Sequence, residues 1–332
     1  MALLLREVEV EQLLTMEDAL EAVEEAFRGW GEGRAVNRPR VRVRVPHGFL
    51  HLMPAAALDE GVMGFKSYST VVGHRARFLV VLFGAETGDV LALIEADRLG
   101  QVRTGAASGV AAKYLAREDS RVLGLLGAGY QAETQLEAVC RVRPIERVKV
   151  YSRTPERREE FAERMGQRLD VEIRPASSAQ EAVEGADVVV TITTAYEPVL
   201  KGEWLSPGVC VLAAGSNHWL RRELDTEAIR RADRVVVDDL EQAKVECGDL
   251  LPAIERGALR WEQVRELKDV VAGIVPGRLH DEEITLFESQ GIALEDVAVG
   301  ACVLRKAQER GIGQKLELTA EAPPLRGTPP AR

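Results

Sequence analysis

Two places in this chain combine residue type and spacing in a way that could do chemistry. The first is a lysine. Arginine and lysine together number 43, yet only eight are lysine, so arginine serves wherever a generic positive charge is needed. Lys66, in Gly64-Phe65-Lys66-Ser67, is the first lysine in the chain and sits among apolar residues. Unlike arginine, a desolvated lysine can lose its proton. That property suits general acid/base work at an imine or carbonyl.

The second place is Arg121-Val122-Leu123-Gly124-Leu125-Leu126-Gly127-Ala128-Gly129-Tyr130-Gln131-Ala132, a G-x-G-x-x-A turn after an apolar strand and before a helical stretch. Gly127 allows the tight turn and Gly129 lets the backbone approach a pyrophosphate. Ala132 permits close helix–strand packing, and the helix N-terminus offers N–H donors and a positive dipole end. A second strand some 20 residues later ends Val150-Tyr151-Ser152-Arg153-Thr154. An NAD-preferring fold places Asp or Glu there for the ribose 2′-OH. Ser152 cannot repel a 2′-phosphate, and Arg153, helped by Arg157 or Arg158, could pair with one. NADP(H) is therefore favoured, with NAD(H) the other candidate.

These groups need elements to hold them. Thr15, with Asp18 three residues on, opens an amphipathic helix within residues 12–30. Arg40-Val41-Arg42-Val43-Arg44-Val45 is a strict period-2 strand. Strands at 49–53, 62–68, 78–83 and 90–94 follow through hairpin turns, and 104–115 reads as a closely packed small-residue helix. From 121 to about 240, strands at 122–126, 147–151, 171–174, 187–191, 209–213 and 234–237 alternate with helical stretches, which argues for a parallel sheet covered on both faces. A last helix spans 295–311. The expected fold class is α/β: a Rossmann-type parallel-sheet domain plus a second α+β domain with a mainly antiparallel sheet.

Composition narrows the function classes. A length of 332 residues favours two domains, and a net charge of −10 offers no basic footprint for nucleic acid. No stretch approaches the roughly 18 unbroken apolar residues of a membrane span. Met1–Leu5 is too short for a signal segment, so a cytoplasmic enzyme is expected. Cys140, Cys210, Cys247 and Cys302 form no C-x-x-C pair, the five histidines show no metal spacing, and no metal is expected.

Several segments occur in a telling order: the Lys66 segment, Arg103-Thr104-Gly105-Ala106-Ala107-Ser108, the Gly127–Ala132 loop, Gly215-Ser216-Asn217 with Arg222-Glu223-Leu224-Asp225, and Ser289-Gln290-Gly291-Ile292-Ala293-Leu294-Glu295-Asp296. Together, over roughly residues 5–315, they resemble the ornithine cyclodeaminase/mu-crystallin family. The resemblance implies a homodimer with a substrate and dimerisation domain at 1–116, completed by the helix at about 295–318. It also implies a dinucleotide-binding domain at 117–294, leaving 319–332 as a flexible tail. Arg40 and Arg103 would clamp a substrate carboxylate bidentately, Lys66 would sit beside the reacting carbon, and Met53 would form a pocket wall. Arg103, Thr104, Gly127, Ala128, Gly129, Tyr130, Gln131, Ala132, Ser152, Arg153, Thr154, Arg157, Thr191, Thr193 and Asn217 would contact the cofactor.

The departure from the family pattern is Asn217. Cyclodeaminases carry an Asp at the matching place, where its carboxylate moves protons during ring closure and ammonia loss; an amide cannot. The expectation is therefore an NAD(P)H-dependent reductase or dehydrogenase of a small imino or 2-keto acid, acting on CH–NH or CH–NH2 groups, with Lys66 and Asn217 as catalytic candidates. Cyclic ketimines, or pyruvate with ammonia, are candidate substrates. A cyclodeaminase-type lyase using NAD catalytically and a mu-crystallin-type dinucleotide-dependent binding protein are the alternatives.

Overall fold

The computed structural model describes residues 2–318; the expected tail at 319–332 lies outside them. The elements run β1 (Ala2–Leu5), α1 (Glu7–Leu13), α2 (Met16–Gly31), β2 (Ala35–Asn37), β3 (Val41–Val45), β4 (Gly48–Ala57), β5 (Val62–Val71), β6 (Arg77–Gly84), β7 (Val90–Glu95) and α3 (Asp97–Leu115). Then come β8 (Val122–Leu126), α4 (Tyr130–Val142), β9 (Arg147–Tyr151), α5 (Pro155–Leu169), β10 (Glu172–Pro175), α6 (Ala179–Val183), β11 (Val188–Thr191), β12 (Cys210–Ala213), α7 (Thr226–Arg231) and β13 (Arg234–Val237). The last elements are α8 (Leu240–Glu246), α9 (Leu250–Glu255), β14 (Arg265–Glu266), α10 (Leu267–Val271), β15 (Thr285–Glu288), α11 (Ala293–Arg310) and β16 (Gln314–Leu316).

The first sheet has the order β16-β1-β7-β6-β5-β4-β2, with β3 also on β4. It is antiparallel except where β1 lies parallel to β7. Its pleat sends alternate residues to opposite faces. One face carries Met53, Val62, Lys66, Tyr68, Val80 and Ile94, all buried, with α11 packed against β4, β5 and β6. The other face carries Val41, Val43, Leu50, Leu52, Met63 and Leu79, which are 38–55% exposed.

The second sheet is wholly parallel, in the order β10-β9-β8-β11-β12-β15-β13-β14. From central β8 the chain runs outward to β9 and β10, then returns to β11 and β12 on the other side. The crevice beyond the carboxyl ends of β8 and β11 is thus the topological switch point, where open α/β sheets bind ligands.

Local signals explain most boundaries. Thr15 Oγ1 accepts from the Asp18 amide at 3.2 Å while Asp18 accepts from the Thr15 amide at 2.9 Å, a closed capping box. The expected helix at 12–30 therefore starts only after this cap; Gln12 and Leu13 close a separate short helix, α1. β14 and β15 lie outside the expected strands: β14 has two residues, and Thr285–Glu288 has only two apolar residues between a threonine and a glutamate, too few to show a run.

Candidate active site

The glycine turn follows directly from the end of β8. The Gly127 amide donates to Tyr151 O at 2.9 Å, and its φ of +123° is a conformation that favours glycine. A Cβ there would lie 2.4 Å from Ile192 O, so glycine also lets β8 and the β11 loop approach. Gly129 is the N-cap of α4 and supplies no side-chain cap, and a Cβ built on it meets nothing within 4 Å. Ala132 N–H bonds back to Gly129 O at 3.0 Å, and the N–H groups of Tyr130 and Gln131 are left for a ligand. A cavity of about 780 Å³ opens here, lined by Gly127, Ala128, Gly129, Ser152, Arg153, Thr154 and Arg157. Ser152 Oγ donates to Thr154 O at 2.9 Å, and Arg153 and Arg157 are exposed. Ala132 is buried beneath the turn as a packing residue. These residues fit a dinucleotide: an open glycine cradle, uncapped helix donors, and no acidic residue at the end of β9.

A second cavity of about 430 Å³ adjoins the first, sharing Gly129 and Ile192–Thr194 with it. It gathers Arg40 from just before β3, Met53 and Lys66 from the first sheet, Arg103 and Thr104 from α3, Tyr130 and Gln131 from the start of α4, and Thr193 and Asn217 from the loops after β11 and β12. One expected contact is corrected: Thr191 is fully buried, lines neither cavity, and donates its hydroxyl to Glu223 at 3.0 Å. Thr191 ends β11 and is held behind the crevice by Glu223, whereas Thr193, in the loop beyond the strand, lines the second cavity. Asn217 is exposed at the cavity rim, and its backbone O accepts from Arg42 at 3.0 Å.

Sheet register positions the catalytic candidates. Met53 lies directly opposite Lys66 across β4 and β5, and Tyr68 lies two residues on, facing the same side. Lys66 Nζ is 5.9 Å from the Tyr68 ring and 5.4 Å from the Phe78 ring. It donates to Asp296 Oδ1 at 2.8 Å, an oxygen that also accepts from Arg103 Nε at 3.1 Å. Arg103 additionally pairs with Glu295. Gly291, at φ +74°, has the Arg103 guanidinium 2.8 Å from where its Cβ would be, so only glycine fits the turn there. Arg40 donates to Glu246 at 2.9 Å, to Gln290 O and Gly291 O at 3.1 Å each, and towards Met53 Sδ at 3.2 Å. Arg42 also pairs with Glu246.

Four cations (Arg40, Arg42, Lys66 and Arg103) therefore face three carboxylates (Glu246, Glu295 and Asp296). Burial, aided by Asp296 and opposed by Arg103, pushes Glu295 up to about 7, which leaves the site short of negative charge. That imbalance suits an anionic substrate group. Burial, together with Arg103 and against the pull of Asp296, brings Lys66 down to about 8.

Tyr68, Phe78, Glu246 and Asp296 were not singled out by sequence. Tyr68 was within reach of the period-2 rule, and Asp296 stands in the Ser289–Asp296 segment. Glu246, 206 positions from Arg40, left no local signal.

The model of the ornithine cyclodeaminase/mu-crystallin family matches residues 1–311. The chain belongs to this family. Alanine dehydrogenase of Archaeoglobus fulgidus is 39% identical over 323 residues, covering 95% of this chain and 98% of that protein. The structure of Thermococcus litoralis Delta(1)-pyrroline-2-carboxylate reductase in complex with NADH and L-proline matches at a TM-score of 0.90 and 39% identity, covering 95% of this chain and all of that one. The iminosuccinate reductase of Paracoccus denitrificans, solved with NAD+, matches at a TM-score of 0.90 and 31% identity over 96% of this chain and 99% of that one. Among the described residues, no helix is long and apolar enough to cross a membrane.

Proposed function

We propose that this protein is an NAD(P)H-dependent reductase of a small imino acid or 2-keto acid, working in the cytoplasm. The observation that carries the reading is Lys66: a buried amine with pKa near 8, in a cation-rich cavity that joins the dinucleotide turn. Relatives whose names are alanine dehydrogenase, Delta(1)-pyrroline-2-carboxylate reductase and iminosuccinate reductase support the same chemistry. The dinucleotide, held by Gly127–Gly129 and the N-terminus of α4, supplies or accepts the hydride. Arg40 and Arg103 attract and orient the substrate carboxylate. Lys66 holds the proton that neutralises the imine nitrogen, or the carbonyl oxygen, as the adjacent carbon is reduced. Hydrophobic walls from Met53, Tyr68 and Phe78 limit water.

Ring closure with ammonia loss needs a second proton-moving group, a carboxylate in cyclodeaminases, beside Lys66 at the reacting carbon. The one carboxylate among the described residues lining this cavity, Asp97, is bound to Arg75 at 2.6 Å, and Asn217 cannot exchange a proton at neutral pH. Ser152 and Arg153 support NADPH as the preferred cofactor. One assay series tests both points: pyrroline-2-carboxylate, piperideine-2-carboxylate and pyruvate with ammonia, each with NADPH and NADH. Stoichiometric nicotinamide oxidation is expected, faster with NADPH, and Arg153→Ala should weaken NADPH roughly tenfold or more with little effect on NADH. Proline formed from ornithine with sub-stoichiometric NAD would reject the reductase reading. Equal or better use of NADH would reject only the cofactor preference.

The reading includes a division into residues 1–116, completed by the helix at about 295–318, and 117–294, supported by the packing of α11 on α2, α3 and β4–β6 and by the pairing of β16 with β1. It also includes a homodimer. The apolar outer face of the first sheet, with Val43 and Leu50 paired across β3 and β4, is the surface that a second copy would cover. In light scattering after size exclusion, the wild type should run as a dimer and Val43→Glu with Leu50→Glu as a monomer. A monomeric wild type at micromolar concentration would refute this.

A further inference from the structure

We infer that Glu223 is the positioning residue that sets the spacing of the two loops flanking the nicotinamide end of the dinucleotide cleft, an inference that rests on the reductase reading above. Glu223 is 1% exposed and lines neither cavity. Its Oε1 accepts from the backbone amide and the hydroxyl of Thr193, each at 2.6 Å. Its Oε2 accepts from the backbone amide of Gly215 at 2.8 Å and from the Thr191 hydroxyl at 3.0 Å. Thr193 belongs to the loop after β11 and Gly215 to the loop after β12, and both residues line the cavity that holds Lys66. The carboxylate therefore bridges the two loops from behind.

The geometry calls for two acceptor oxygens rather than any polar group. Burial and Asp249 push the carboxyl up to about 7, against the Thr193 and Thr191 hydrogen bonds that favour its charged form. One backbone N–H points at each oxygen, and a backbone N–H cannot rotate away. An amide would turn its NH2 toward one of them, setting donor against donor. The carboxylate is itself fixed in place: Asp249 Oδ1 accepts from the amides of Glu223 and Leu224 at 2.8 and 2.7 Å, and the Glu223 carbonyl accepts from Val199 and Leu200. Gly215 completes the fit, since a Cβ there would lie 2.4 Å from the Glu223 carboxylate; it would point at the acid and away from the cleft. Four donors on one buried acid exceed what anchoring a single loop requires. What they achieve is a fixed gap between Thr193 and Gly215 beside Lys66.

The test is dinucleotide binding measured without turnover. NADH and NADPH dissociation constants are taken by fluorescence titration for the wild type, Glu223→Gln, Thr193→Val and Gly215→Ala, with circular dichroism and thermal melts on the same samples. Glu223→Gln and Gly215→Ala should each weaken binding of both dinucleotides at least tenfold in samples that melt cooperatively, with Thr193→Val weaker by a smaller factor. The Michaelis constant for the dinucleotide should rise more than that for the imino acid. Should Glu223→Gln not fold, Gly215→Ala and Thr193→Val decide the matter, since both keep the acid. Folded variants that bind within twofold of wild type, with only the melting temperature lowered, overturn the positioning role. A wild type that binds neither dinucleotide overturns the reductase reading and this inference with it.

Discussion

Lys66→Ala is expected to lower imine reduction by about 10²–10⁴, the scale of a lost general acid, while dinucleotide affinity changes little. The cofactor turn is built on β8 and α4, whereas Lys66 is on β5, so removing its amine leaves the glycine cradle intact. Lys66→Arg should rescue little, because guanidinium does not release its proton and its planar fork does not fit the space of an ammonium. The pH dependence has a definite sign. With Lys66 near 8, the protonated amine is present below that pH and is lost as pH rises through it. Reduction, which needs the proton, should fall above about pH 8. The reverse oxidation, which needs the free amine, should rise over the same range. In Lys66→Ala both limbs should vanish. Steady-state kinetics in both directions from pH 6 to 10 decide the matter; a near-normal kcat in Lys66→Ala would remove the lysine from the mechanism.

The second large effect is expected at Asp296. Its Oδ1 serves Lys66 and Arg103 together, and both cations are buried. Asp296→Asn leaves them with an amide, and breaking a buried pair from one side costs about 3–5 kcal/mol. Arg103 retains Glu295, so the loss falls mainly on Lys66. Asp296 holds the lysine pKa up, by charge and by hydrogen bond, against burial and Arg103. Without it the amine should drop further below 8, and the falling limb of the reduction profile should move to lower pH. Destabilisation should then be greatest in acid, where Lys66 must carry its charge unpaired, and should shrink as pH rises and the amine becomes neutral. Thermal melts at pH 6 and 9, set beside the rate profile, check both effects. An unshifted limb with unchanged melting would show that Asp296 does not govern Lys66.

Much of this was legible from local rules. The glycine turn, the strand before it and the helix after it are short-range features, each required by the conformation of a few residues, and they stand where the motif places them. Lys66 was visible because a chain that prefers arginine kept a lysine among apolar neighbours. The hairpin strands from 48 to 95 followed from alternation and turns. The parallel sheet followed from alternating strands and helices, except for β14 and β15, which are too short in apolar residues to show a run.

What the sequence by itself determined, then, was the set of local conformations and the types of chemical group available: a dinucleotide turn, an acid/base amine and cations for a carboxylate. Only the tertiary structure decided how these groups are electrostatically matched. The pairing of Lys66 with Asp296 spans 230 positions, that of Arg40 with Glu246 spans 206, and Thr191 and Glu223 meet across 32. No period or cap links residues so far apart. The physical reason is that a pKa depends on burial and on charges within a few ångströms, and both arise only when β5, α3 and α11 pack together around Lys66.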